Sequence, residues 1–309
     1  MKITAHQHRP LGRLDLRVPP IVFGTAALGN VPQVIPEQRK LAICGEWFRH
    51  VEPPVFVDLE YEHGDGSAME SLGRILRRLD VTSGEVLVHL SIDSTHAMEC
   101  WEKSCRLLGD AYRPKLITVR NVNEDEWQAV RGLKQSGLVR GVGIFASSRE
   151  SLSEHSVDAD WVWLRGGLTL LHHPTETTDF LNELAGRQTT VIVSGIFAGG
   201  FLTGGNSLNR RTLHADDPAD RSLLAWRKSF VALCQGHGVS PAQACVQFAL
   251  AASAVVAVEL ESTTPDQVAE NVDALLRKVP DAFWASMKEE RLLSEDYPYL
   301  NSSKLEEEH

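Results

Sequence analysis

The chain is short of sulfur. Its five cysteines (Cys44, Cys100, Cys105, Cys234 and Cys245) are odd in number and include no CxxC pair, which argues against a disulfide framework or a thiolate zinc site. Cys44, Cys234 and Cys245 stand among apolar neighbours and read as small core residues. Long hydrophobic runs are missing as well. Nothing approaches the ~20 apolar residues that cross a bilayer, and the opening MKITAHQHRP has no apolar stretch of the secretory kind. The expectation is a cytoplasmic protein with no membrane partner. Positive charge is also scarce: 31 Lys and Arg face 41 Asp and Glu, for a net charge of -10. A nucleic-acid partner wants a basic stripe, and the pairs Arg77-Arg78 and Arg210-Arg211 read instead as solvated faces.

What is present is a regular alternation. Short apolar runs at 20–24, 55–59, 85–91, 115–120, 139–145, 160–165, 189–194 and 254–260 read as eight strands. Most are continuous rather than alternating, the mark of parallel strands buried on both faces. Helical patterns lie between them at 36–50, 67–79, 94–110, 123–136, 147–156, 175–187, 217–235 with 240–252, and 265–277. A chain of 309 residues could hold two domains, but eight β-then-α units describe one (β/α)8 TIM barrel. A six-stranded doubly wound sheet would leave two strands over and would want GxGxxG after the first strand; GTAALGN (24–30) does not supply it. Ahead of the first strand, Pro10-Leu11-Gly12, a turn near Leu14-Asp15 and Leu16-Arg17-Val18 read as a β-hairpin closing the barrel bottom. The expected layout is a single domain over 1–309, with a core from about 9 to 292 and a disordered tail at 300–309.

Several of these segments resemble the aldo-keto reductase family. LGRLDLRVPPIVFGTAALGN is similar to its opening hairpin and first strand, VDLEYEHGDGSAMESLG to its FDTAxxYGxGxSExxLG signature, GLVRGVGIF to its fifth strand and TPDQVAENV to its last cofactor-binding helix. VSGIFAGGFLTGG, WVWLRGGLTLLHH and FVALCQGHGVSPAQACVQFAL are similar to the aldose-oxidising branch, the D-threo-aldose and L-fucose dehydrogenase type. The resemblance runs from about Arg9 to Asn271. It implies an NADP or NAD cofactor, a hydride moved to or from a small aldose or aldehyde, and a proton carried by a tyrosine that a lysine and a histidine acidify. A phenol near pKa ~10 needs such neighbours to work as acid or base.

Carried over position by position, that chemistry is only partly present. Asp58 stands where the family's aspartate is expected, but His63 takes the tyrosine position, Ser91 (or, with a one-residue slip, Leu90) the lysine position and Arg120 the histidine position. The Ser-Asn that holds the nicotinamide amide is Phe145-Ala146, and the branch's sixth-strand Tyr is Leu168. The implied cofactor contacts are Gly24, Thr25, Ser194, Gly200, Phe201, Leu202, Ser262, Gln267, Glu270 and Asn271. Glu261 close to the 2'-phosphate position would favour NAD over NADP. Plainer readings stand beside these. Asp58 could cap a loop, His63 could be solvated, Ser91 could be a plain polar strand end, and Arg120 could pair with Asp58 as a structural salt bridge. Thr264-Pro265-Asp266-Gln267 is also a helix-start pattern. Trp161, Trp163 and Trp226 read as packing, and His172-His173 as loop without a metal partner. Three functions remain open. One is a nicotinamide-dependent oxidoreductase in which Asp58 orients His63 and Arg120 polarises the substrate oxygen. The others are a binding barrel without turnover, and a non-redox acid–base enzyme built on Asp58, His63 and Arg120. Oligomeric state is not readable.

Overall fold

The computed structural model describes the chain except at residues 62–65, 93–95, 121–122, 150, 152–157, 209–210 and 301–309. It opens with strands β1 (Arg9–Pro10) and β2 (Arg17–Val18), paired antiparallel with Arg9 opposite Val18. Strands β3 (Ile21–Gly24), β4 (Val55–Glu60), β5 (Val86–Ile92), β6 (Leu116–Val119), β7 (Gly141–Ala146), β8 (Trp161–Arg165) and β9 (Thr190–Ser194) follow. After the small hairpin β10 (Ser207–Leu208) and β11 (Arg211–Thr212), strand β12 (Val255–Leu260) closes the circle against β3. The eight long strands form a closed parallel barrel in the order β12-β3-β4-β5-β6-β7-β8-β9. This is the (β/α)8 barrel that the alternation predicts.

Helices α1 (Glu37–His50), α2 (Ser67–Arg78), α3 (Ala97–Leu108), α4 (Glu124–Gln135), α5 (Thr175–Gly186), α6 (Pro218–His237), α7 (Pro241–Leu250) and α8 (Pro265–Leu276) surround the barrel. The pattern at 147–156 falls largely outside the described residues, and α9 (Asp281–Glu289) is an element the sequence reading did not contain. Packed structure also begins upstream of the hairpin, where Ile3 is fully buried and bridges to Val51. All five cysteines are buried and unpaired. Among the described residues no helix is long and apolar enough to cross a membrane.

Two cores result. The larger lies between strands and helices, and the smaller fills the barrel interior, where Val22, Phe56, Leu87, Leu116, Trp161, Trp163, Ile192 and Ala257 pack on one another. Leu11, Leu16 and Val18 of the opening hairpin join that interior cluster, so the hairpin plugs the bottom. Two indoles side by side on one strand need room across the way. Gly143 supplies it: a Cβ there would overlap the Trp161 indole. With the bottom filled by rings and leucines, only the C-terminal mouth of the barrel is left for chemistry.

Candidate active site

Period-2 alternation sends every second strand residue inward, and at the mouth those residues turn polar. Asp58 of β4 pairs in register with His89 of β5, and Glu60 with Ser91. His89 is fully buried, and its two ring nitrogens are both engaged. Nδ1 lies 2.6 Å from Asp58 Oδ1 and Nε2 lies 2.6 Å from Thr118 Oγ1, while Trp161 Nε1 donates to that same Thr118 oxygen at 3.0 Å. One assignment satisfies the whole chain: Trp161 N–H to Thr118, Thr118 O–H to His89 Nε2, and His89 Nδ1–H to the carboxylate. The Trp163 ring stacks on His89 with centroids 4.5 Å apart, which fixes the imidazole plane. Ser91 Oγ donates to Asp58 Oδ1 at 3.2 Å. Asp58 is 7% exposed. Both engaged partners bind Oδ1, and Oδ2 makes no hydrogen bond among the described residues.

Above this layer sits an ionic cluster. Glu60 Oε1 accepts from Arg120 and, at 2.8 Å, from Arg165 Nη1. The Arg120 guanidinium lies over the Phe145 ring, 4.2 Å from its centroid. The salt bridge expected between Arg120 and Asp58 is therefore not the one formed. Asp58 lies one layer deeper, already held by His89, and a guanidinium arriving from the end of β6 meets Glu60 first. Burial works against the Arg165 charge, but Glu60 above all, with Glu259 and Asp58, outweighs it and raises its pKa. Glu259 at the end of β12 is pushed the other way, well above the usual carboxylate range. Desolvation is the main cause, followed by the charges of Asp58 and Glu261.

These groups line a cavity of about 270 Å³ whose other wall is the glycine-rich stretch from Gly195 to Gly200. Among the described residues no group of three or more His, Cys, Asp or Glu side chains is arranged to hold a metal.

The model of the Aldo/keto reductase family matches residues 20–291. The chain belongs to that family of oxidoreductases. A pyridoxal 4-dehydrogenase of Microbacterium luteolum is 27% identical over 172 residues, 54% of this chain and 49% of its own length. A D-threo-aldose 1-dehydrogenase of a Pseudomonas species is 24% identical over 169 residues, 53% of this chain and 50% of its own. The chain thus spans about half the length of the curated relatives it matches. Among solved aldo-keto reductases, the glycerol dehydrogenase of Gluconobacter oxydans superposes with a TM-score of 0.72 at 18% identity, covering 92% of this chain and 95% of the other. A holo aldo-keto reductase of Bacillus halodurans gives 0.71 at 19%, covering 93% and 96%. At such identities the likeness is one of fold.

Set against the family's pattern, the implied cofactor positions divide into two groups. The outer group is orderly. Thr264 caps α8, its hydroxyl accepting from the Gln267 amide at 3.3 Å, Gln267 Oε1 accepts from the Thr263 amide at 2.7 Å, and Asn271 Nδ2 donates to Ser262 Oγ at 3.2 Å. Glu270 is exposed and Gly200 is left-handed at φ 89°, opening the short turn Phe201–Thr203. Phe201 and Leu202 are fully buried. The inner group does not fit a nicotinamide. Phe145 and Ala146 offer its amide nothing, and Ser194 Oγ already accepts from Trp163 Nε1 at 3.1 Å. The Thr25 hydroxyl donates to the Asp58 carbonyl at 2.8 Å and keeps only acceptor capacity. Over Gly24, where the chain would have to make room, stand the Glu261 and Glu259 carboxyls; a Cβ on Gly24 would overlap Glu261 and lie 2.8 Å from Glu259 Oε1.

His63 lies outside the described residues, so its expected pairing with Asp58 does too. The structure brings Asp58, Ser91 and Arg120 to one mouth and adds four residues the sequence reading passed over: His89, Glu60, Arg165 and Glu259. His89 had a signal. In EVLVHLS it shares its parity with Leu87 and Ser91, so a polar side chain was pointed into the barrel at the level of Asp58. Trp161 packs in the barrel interior as expected and Trp226 stacks on Phe230, while Trp163 packs there too but also lines the cavity. His173 packs edge-on against Phe248 and Tyr297.

Proposed function

We propose that this family member performs acid–base chemistry on a small hydroxylated aldehyde or ketone, and that it does so without the family's tyrosine-dependent hydride transfer. The observation that carries the reading is Asp58. Its Oδ1 is held by His89 and Ser91, and its other oxygen is left for a ligand in a cavity that it lines. A carboxylate fixed in that way is placed to take a proton. The positions that would tune a tyrosine hold Ser91 and Arg120, and Arg120 is committed to Glu60 and Phe145. The substrate class follows from the size and polarity of the cavity and from the names of the two relatives, which act on pyridoxal and on D-threo-aldoses. About 270 Å³ is just below the ~300–1,000 Å³ usual for ligand pockets.

A second reading, the nicotinamide-dependent dehydrogenase with His63 as proton carrier, draws support from the left-handed Gly200 turn and the capped start of α8. One pair of experiments separates them. Aldoses and aldehydes are incubated with the protein in D2O without nucleotide, and loss of the C–H signal beside the carbonyl is followed by NMR. NADH and NADPH are titrated in parallel by fluorescence, with absorbance read in the presence of the same compounds. Exchange that needs no nucleotide and vanishes in Asp58→Asn supports the proposal. Nucleotide-dependent reduction or oxidation, lost in His63→Ala, replaces it with the dehydrogenase. Tight nucleotide binding with neither exchange nor redox turnover leaves neither chemistry standing.

A further inference from the structure

The inner face of the barrel mouth carries a gap. Strand β3 lies between β12 and β4, with Leu260 opposite Phe23 and Gly24 opposite Asp58. Gly24 has an ordinary backbone conformation, so no strained turn demands glycine there. The missing side chain does something else. It leaves no side chain of β3 between β12 and β4 on the inside, the Glu259 and Glu261 carboxyls stand over that space, and Glu259 shares the cavity with Asp58 and feels its charge. Like charges at such range do not all persist without water around them; one site binds a proton and becomes a donor. Glu259 is the candidate. It makes no hydrogen bond among the described residues, whereas Asp58 has His89 and Ser91 to hold its charge and Glu60 has Arg120 and Arg165.

We propose that Glu259 is the acid partner of Asp58, the two acting across Gly24 on the carbonyl oxygen and the neighbouring C–H of a hydroxylated aldehyde or ketone. The proposal rests on the acid–base reading of Asp58 given above. Asp58 Oδ2 takes the proton from the carbon beside the carbonyl. The C–H electron pair becomes the new C=C bond, the carbonyl π pair moves to oxygen, and that oxygen receives the proton of Glu259. The product is the enediol, with Asp58 protonated and Glu259 ionised. Return of a proton to carbon by Asp58 and of one from oxygen to Glu259 restores both groups. No oxidant or reductant is required. Two carboxyls whose surroundings push their proton affinities apart are the arrangement that assigns acid and base. The charged groups around Glu259 are Asp58 and Glu60 on β4, Arg165 at the end of β8 and Glu261 after β12; Arg120, beyond β6, reaches the same cavity. Arg165 alone among those acting on Glu259 opposes the proton, and its head group is shared with Glu60.

The test has an optical arm and a chemical arm. In the intact protein with 13C-labelled glutamate carboxyls, infrared spectra at neutral pH are expected to hold one protonated glutamate band. It is lost in Glu259→Gln, and in Asp58→Asn it disappears at lower pH than in the wild type. Gly24→Ala, which displaces both glutamates, lowers that midpoint as well, with folding checked by circular dichroism. The solvent exchange assay is expected to fall ~10²–10⁴-fold in Glu259→Gln while ligand still binds. A band that survives Glu259→Gln, or exchange unchanged in that variant, overturns the assignment. Absence of exchange in the wild type, with the band present, removes the acid–base function and the catalytic role together, while leaving the proton located on Glu259.

Discussion

Replacing Thr118 by valine puts the interior polar chain to its sharpest test. The two side chains have the same shape, so no cavity opens and no ring shifts. What goes is one hydroxyl that serves two buried partners: it accepts from Trp161 Nε1 at 3.0 Å and bonds His89 Nε2 at 2.6 Å. Thr118, His89 and Trp161 are all fully buried, so water cannot stand in. Leaving a buried donor or acceptor unmade costs ~1–3 kcal/mol, and two such groups give about 2–6 kcal/mol. Thr118→Ser is the control. It keeps the hydroxyl and loses a methyl group, at ~0.5–1.5 kcal/mol by analogy with Ile→Val. Urea denaturation followed by far-ultraviolet circular dichroism reads both, since fluorescence would be confounded by Trp161. The expected order of stability is wild type, then serine, then valine. Hydrophobicity alone would place valine at or above the wild type. A valine variant as stable as the serine one would refute the hydrogen-bonded chain and with it the account of how Asp58 is held.

Two further outcomes follow from the fold. Leu11→Ala removes a fully buried part of the bottom plug and should cost about 2–5 kcal/mol in urea denaturation, with ligand affinity at the mouth unchanged. Asp220 is held below the usual carboxylate range by Arg211 first and the His214 amide second. A group whose folded value is depressed adds stability above its unfolded value and loses it as pH falls through the folded one. Asp220→Asn should therefore lower the urea midpoint at pH 7, and the gap to the wild type should close as the pH is taken below ~4.

The barrel was legible because its strands are continuous apolar runs, and a run of that kind is little altered by tertiary context. The eight runs fall within a residue or two of the eight barrel strands. The site was less legible for two physical reasons. Reading β5 as an apolar run hid His89, since a histidine that is fully bonded inside a barrel looks in sequence like an interruption. The partner of Arg120 was misjudged because sequence order does not give depth: Asp58 and Glu60 are two residues apart, yet one lies deeper and is held by the imidazole while the other stands in the path of the guanidinium. Glu259 and Gly24 are distant in the chain, and only closure of the barrel makes them neighbours. Helix α9 follows the last barrel unit, where the β/α alternation has no further prediction to offer.

The filled floor of the barrel carries a kinetic consequence. Leu11, Leu16, Val18 and Trp161 make the bottom a solid wall, so the mouth is both entrance and exit. A reactant cannot enter while the departing molecule occupies the well, and solvent must leave by the same door. Traffic through such a dead end is strictly alternate, and product should therefore compete with substrate for the free protein whatever reaction takes place inside.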